Sequence, residues 1–196
     1  MLFRSRYAGE RLAPLYSRWE QEPIPREMLR EFGELGLMGL RVPVEYGGQD
    51  ASFVMCGIAG EEIGRGDFNV TAFVQLHAIV AESMRGASPG QKRRWLPAIA
   101  SGQAVAAFAI TEPGAGSDAA HITTRALRDG NYYVITGEKS SITFAGIADL
   151  ALVFVRTGGE GARGISNLIV PLDLPDRKST RLNSSHIQKS RMPSSA

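Results

Sequence analysis

The chain has 196 residues, 43% of them hydrophobic and 21% charged, which is ordinary for a soluble globular protein of one full domain or two small ones. A single cysteine, Cys56, excludes an intrachain disulfide and fits a reducing compartment. No apolar run approaches the roughly 20 residues of a membrane span, and the N-terminal MLFRSRYAGERL lacks a secretory apolar core, so a cytoplasmic or matrix-type protein is expected.

The formal charge of +2 comes from the tail. Residues 177–196 hold five of the 22 Lys and Arg, six serines and none of the 20 acids, so the remainder carries three net negative charges. Such a segment buries too little apolar surface to offset its ordering entropy and is expected to lack structure. It has no aromatic for base stacking and no basic surface accompanies it, so nucleic acid is not expected as a partner.

The first half reads as helices. PREMLREFGELG opens at Pro25 and puts Met28, Leu29, Phe32 and Leu35 on one face, with Gly36 as a stop. LRVPVEYGGQD is a loop, because Pro43 and Gly47-Gly48 break it. SFVMCGIAGEEIGRG is a second, weaker helix, and NVTAFVQLHAIVAESM a buried one with Val70, Phe73, Val74, His77, Val80 and Met84 on one stripe. SPGQKRRWLPAIASG begins with a capping box, Ser88 and Gln91, and turns Trp95, Leu96 and Ile99 inward.

Near residue 103 the period changes. AVAAFAIT, NYYVITGEKSSIT with a bend at Gly137, LALVFVRT and SNLIVPLD read as strands. Helices followed by strands imply an α+β chain. The expected parts are an α-helical domain over 1–102, an incomplete, antiparallel barrel- or sandwich-like β domain over 103–175, and an unstructured tail over 176–196.

Two stretches carry chemistry. In AFAITEPGAGSDAA, residues 106–119, Pro113-Gly114 and Gly116-Ser117-Asp118 are turn signals, and a plain loop would look much the same. Glycines also let backbone N–H groups approach an anion, and Thr111 and Ser117 add hydroxyls. The phosphate-loop and dinucleotide fingerprints are absent, so the ligand stays open on these residues alone. In GEKSSITFAG, residues 137–146, an extended backbone sends Ser141 and Thr143 to one face and Ile142 to the other.

FAITEPGAGSD, together with GNYYVITGEKSSITFAGIADLALVFVRT, GISNLIVPLD, IPREMLREFGELGLMGLRVPVEYGG and QKRRWLPAIASGQ, resembles the acyl-CoA dehydrogenase family over roughly residues 8–175. The resemblance implies FAD as cofactor, with Phe108, Ile110 and Thr111 along the flavin and Gly116, Ser141 and Ile142 beside them. It makes Thr143 the donor to flavin N5 and Ser117 a contact to both cofactor and acyl-CoA. It puts the 69–84 helix at the floor of the acyl pocket, so Leu76 and His77 become substrate-binding candidates, although a satisfied core histidine is the plainer account of His77. Implied partners are an acyl-CoA substrate, an electron-transfer flavoprotein or similar acceptor, and further copies of the full-length chain, with neither nucleic acid nor membrane. The implied compartment is the cytoplasm, or the mitochondrial matrix in a eukaryote.

Three departures accompany it. The family's catalytic glutamate belongs to a C-terminal bundle that these residues do not match. No base is assigned, and the chain is expected to be an inactive fragment. Ser141 stands where most members have tryptophan, and Phe144 where the residue is usually small or polar. The tail after Pro175 matches nothing in the family and is expected to be non-native, as is the MLFRS start. A flavin monooxygenase or other branch of the fold, and a non-catalytic binding or scaffold fragment, stay open as alternatives. Cys56 is expected to be a buried apolar residue, His121 exposed, and Glu61-Glu62 and Lys92-Arg93-Arg94 solvated faces. No side-chain cluster has metal-ligand spacing.

Overall fold

Capping chemistry sets the helix starts in the computed structural model, which describes residues 6–15, 22, 24–173, 178–180, 184–186 and 190–193. The chain divides into two units, Met1–Ala104 and Val105–Ala196.

In the first unit, α1 (Arg26–Glu34) follows Pro25, which sits at the cap rather than inside the helix, and it buries Met28, Leu29 and Phe32. Helix α2 (Phe53–Gly64) is capped by Ser52, whose hydroxyl accepts from Met55 N at 3.2 Å. Asp67 caps α3 (Phe68–Ser83), accepting from Asn69 N at 2.7 Å and Val70 N at 3.3 Å. The Ser88–Gln91 capping box opens α4 (Pro89–Ala100), as its sequence predicts. Each cap satisfies helix N–H groups that have no partner of their own.

Polar side chains then lock these helices together. Gln75 of α3 donates to the Cys56 carbonyl of α2 at 2.9 Å. Arg41 pairs with Glu82, donates to the Ala51 carbonyl and lies 4.3 Å over the Phe53 ring. Gly102, just past α4, has φ +71°, and a Cβ there would fall 2.0 Å from the Leu29 carbonyl oxygen of α1. Only glycine fits that approach. Cys56 is buried, as expected. Phe53, Val54 and Phe68 are exposed large apolar residues of this unit.

The second unit is built on a six-stranded sheet and a separate two-stranded one. Its strands are β1 (Ala106–Ala109), β2 (Arg125–Asp129), β3 (Tyr132–Thr136), β4 (Leu150–Arg156) and β5 (Ile165–Pro171), followed by the short β6 (Lys178–Thr180), β7 (Ser184–His186) and β8 (Ser190–Pro193). Strands β6 and β7 form the two-stranded sheet, and the path of the six-stranded one is β1-β4-β2-β3-β8, with β5 also on β4. The sheet is mixed where the sequence led us to expect an antiparallel one: β1 runs parallel to β4, while β5 and the β2–β3 hairpin are antiparallel. The 131–143 run is also shorter than its pattern suggests. Strand β3 stops at Thr136, because Gly137 turns at φ +153°, where a Cβ would fall 2.4 Å from Thr124 Oγ1.

Period-two alternation assigns the faces. Ala107, Ala109, Val153, Val155 and Val170 point into a core shared with Ala126, Ile135, Ile142 and Ala145. Phe108 and Phe154 point the other way. Of the tail expected to lack structure, three segments have extended backbone, with β6 pairing β7 and β8 pairing β3. The rest of it, and the MLFRS start, lie outside the described residues.

Candidate functional site

Strand β1 delivers the Thr-Glu-Pro-Gly turn. Glu112 N donates to the Ala115 carbonyl at 3.0 Å and Ala115 N returns to the Glu112 carbonyl at 3.1 Å, so Pro113-Gly114 forms an exposed tip. Phe108, Ile110 and Thr111 are half-buried; Gly116 and Ser117 are exposed. Nothing lies within 4 Å of where a Gly116 Cβ would be, so a ligand has open access to that backbone.

The second segment returns alongside. Ser140 N donates to the Thr111 carbonyl at 3.0 Å. Ser141 and Thr143 are exposed and Ile142 is buried, the alternation its sequence predicts. The backbone is not a strand, however: Ser141 has φ +55° and Phe144 φ +64°. Left-handed non-glycine residues cost roughly 1–2 kcal/mol each and collect at functional sites. Ile142, grouped with the cofactor residues by resemblance, spends its side chain on the core, which leaves only its backbone for a ligand.

A buried ion pair joins the two segments. Lys139 Nζ lies 2.8 Å from Glu112 Oε1 and donates to the Ile110 carbonyl at 2.9 Å; the two side chains are 0% and 3% exposed. Glu112 also accepts from Thr123 N at 2.6 Å, Thr123 Oγ1 at 2.8 Å and Thr124 N at 2.9 Å. Burial alone would raise the Glu112 carboxyl; the Lys139 ammonium and the threonine donors outweigh it and hold the group down to about 2. Burial lowers Lys139, with Glu112 opposing.

Sequence analysis missed this pair, since nothing in a 27-residue separation marks it. It also missed Phe154, whose ring packs against Phe108 at 4.9 Å between centroids, tilted 56°. The available signal was strand alternation, because Phe108 pairs in register with Leu152, two residues away on the same face.

Leu76 and His77 belong to the first unit. Leu76 is half-buried. His77 is fully buried, its Nδ1–H donating to the Phe73 carbonyl at 2.7 Å, and burial drives its pKa down to about 4. His121 is exposed and pairs with Asp118 at 2.7 Å. Beyond it, a cleft of about 630 Å³ is lined by His121, Thr123, Arg125, Arg156 and Glu160 among others. Arg156 forms one wall by donating to the carbonyls of Ala120, Ile122, Gly159 and Gly161.

The donor set suits a polar heterocycle. Thr111, Ser117, Ser141 and Thr143 present four hydroxyls, none committed to a hydrogen bond among the described residues. Hydroxyls both donate and accept, as a flavin's ring nitrogens and oxygens require. Among the described residues there is no metal-holding cluster and no helix long and apolar enough to cross a membrane.

Residues 4–103 match the acyl-CoA dehydrogenase N-terminal domain family and residues 107–190 the middle domain family. Isobutyryl-CoA dehydrogenase of Dictyostelium discoideum is 36% identical over 172 residues, covering 86% of this chain and 41% of that protein. A crystal structure of acyl-CoA dehydrogenase from Geobacillus kaustophilus superposes with TM-score 0.89 at 30% identity, covering 99% of this chain and 56% of its own. Glutaryl-CoA dehydrogenase from Mycobacterium smegmatis, solved in complex with FADH2, gives TM-score 0.87 at 32% identity, covering 100% and 53%. The chain spans less than half the length of the curated relative.

Proposed function

Because the chain belongs to the acyl-CoA dehydrogenase family, we propose that its second unit presents part of an FAD site used to oxidise an acyl-CoA thioester to the 2,3-enoyl-CoA. The observation that carries this is the set of four uncommitted hydroxyls, Thr111, Ser117, Ser141 and Thr143, on two segments bonded to each other. When bound, FAD supplies the hydride acceptor, the step that protein side chains cannot perform.

In this proposal the chain's own residues bind and orient. Thr111 and Thr143 hydrogen-bond the polar edge of the ring system, Gly116 gives backbone access, and Ser117 contacts cofactor and thioester ligand. Phe108, backed by Phe154, forms an apolar wall. Ser141 replaces a ring with a hydroxyl and so adds a hydrogen-bonding group. Glu112 is not the base: its oxygens already accept from Lys139, Thr123 and Thr124, and it has no proton-accepting capacity to spare. With no base assigned among these residues, the 196-residue chain alone is expected not to turn over acyl-CoA. In the whole protein, the electrons leave through an electron-transfer flavoprotein or similar acceptor.

The test is absorption of the purified chain after incubation with FAD and desalting. Retained flavin bands that weaken in Thr143→Ala support the proposal; bands retained equally in Thr143→Ala and Thr111→Ala refute the assigned surface.

A further inference from the structure

Glu112 and Lys139 are the two buried ionisable residues of the second unit among the described residues. Desolvating two charges is costly, and apolar side chains of equal volume are often as stable. What the charged pair provides is direction. From one point Lys139 reaches the Ile110 carbonyl and Glu112, while Glu112 gathers Thr123 and Thr124. The loop bearing Thr111 and Ser117, the segment bearing Ser141 and Thr143, and the entry to β2 therefore converge on one ion pair. Ser140 N, donating to the Thr111 carbonyl at 3.0 Å, also ties the first two together.

We propose that the Lys139–Glu112 pair is a positioning device for the cofactor surface, fixing the spacing between its two hydroxyl-bearing segments; the role rests on the flavin function proposed above. Neither side chain touches the cofactor. Both act through the backbone they hold, which is why the hydroxyls can stay uncommitted without the loops drifting apart.

The experiment compares the 196-residue chain with Lys139→Met and Glu112→Gln, by amide hydrogen exchange without ligand and by FAD titration followed through flavin fluorescence. In Lys139→Met, exchange is expected to rise at least tenfold over 110–118 and 139–143 together, with β4 unchanged, and FAD affinity to fall at least tenfold. Glu112→Gln, which keeps an acceptor for Lys139, is expected to be intermediate in both. Loosening of one segment without the other, or of neither, overturns the proposal. So does unchanged affinity when both have loosened, because a merely structural pair would lower the melting temperature and leave the folded fraction's affinity intact. Should Lys139→Met fail to fold, Glu112→Gln decides: a substitution at 112 must loosen 139–143. If the unmodified chain takes no FAD, these residues do not hold the cofactor by themselves, and the exchange data still uphold or overturn the clamp.

Discussion

Acid should unlock the second unit through Glu112. Its carboxyl titrates at about 2 when folded against an ordinary 4.5. A depressed carboxylate stabilises the fold fully above the unfolded pKa, and the contribution is lost as pH falls from 4.5 through 2. The difference corresponds to about 3 kcal/mol at 1.36 kcal/mol per unit, and the group is only 3% exposed, so solvent screens little of it. Burial lowers Lys139 and offsets part of the pair's benefit at neutral pH. For a chain of this size, about 3 kcal/mol is roughly 6 to 12 °C in Tm. Calorimetric melting of the unsubstituted chain and Glu112→Gln from pH 6 to pH 2.5 isolates the contribution, since other acids cancel in the difference. The gap should be flat above pH 5 and then close by most of that amount. A gap that stays constant to pH 2.5 refutes the account of Glu112 as an ionised, clamped group.

His77 sets a separate window: buried and lowered to about 4, it resists protonation when folded, so stability should fall between pH 6.5 and 4, and His77→Gln should remove that slope in the same melts. Gly102→Ala should destabilise by more than about 2 kcal/mol in urea unfolding, because φ +71° and the Leu29 carbonyl both oppose a Cβ; a change under 0.5 kcal/mol would show that α1 yields freely. Thr143→Ala should weaken FAD binding about five- to tenfold, the worth of one hydrogen bond, with little change in Tm because the exposed hydroxyl supports nothing within the fold. An equal loss of Tm and affinity would assign Thr143 to structure instead.

The helices were legible because their signals are local: Ser88 and Gln91 cap α4, and the 3.6-residue stripe from Val70 to Val80 describes the face α3 buries. Strand β2 escaped notice because one residue, Ala126, is buried among Arg125, Leu127, Arg128 and Asp129, leaving almost no apolar alternation to read. The 139–143 segment kept its in-out pattern but not its extension, since Ser141 takes a left-handed turn that alternation cannot register. The site's hydroxyls were visible as residue types in two motifs. The ion pair beneath them was not, because pairing across 27 residues is decided by the β1-to-β4 arrangement and by the Gly137 turn against Thr124.

The contacts holding the 110–122 loop have a consequence for how its sequence can change. Lys139 grips it at the Ile110 carbonyl, and Arg156 at the carbonyls of Ala120 and Ile122. A carbonyl is present whatever side chain sits above it. Substitutions at Ser117, Asp118 or His121 therefore rewrite what the loop displays without erasing the path it follows, and a lineage can explore new recognition there while inheriting the same scaffold.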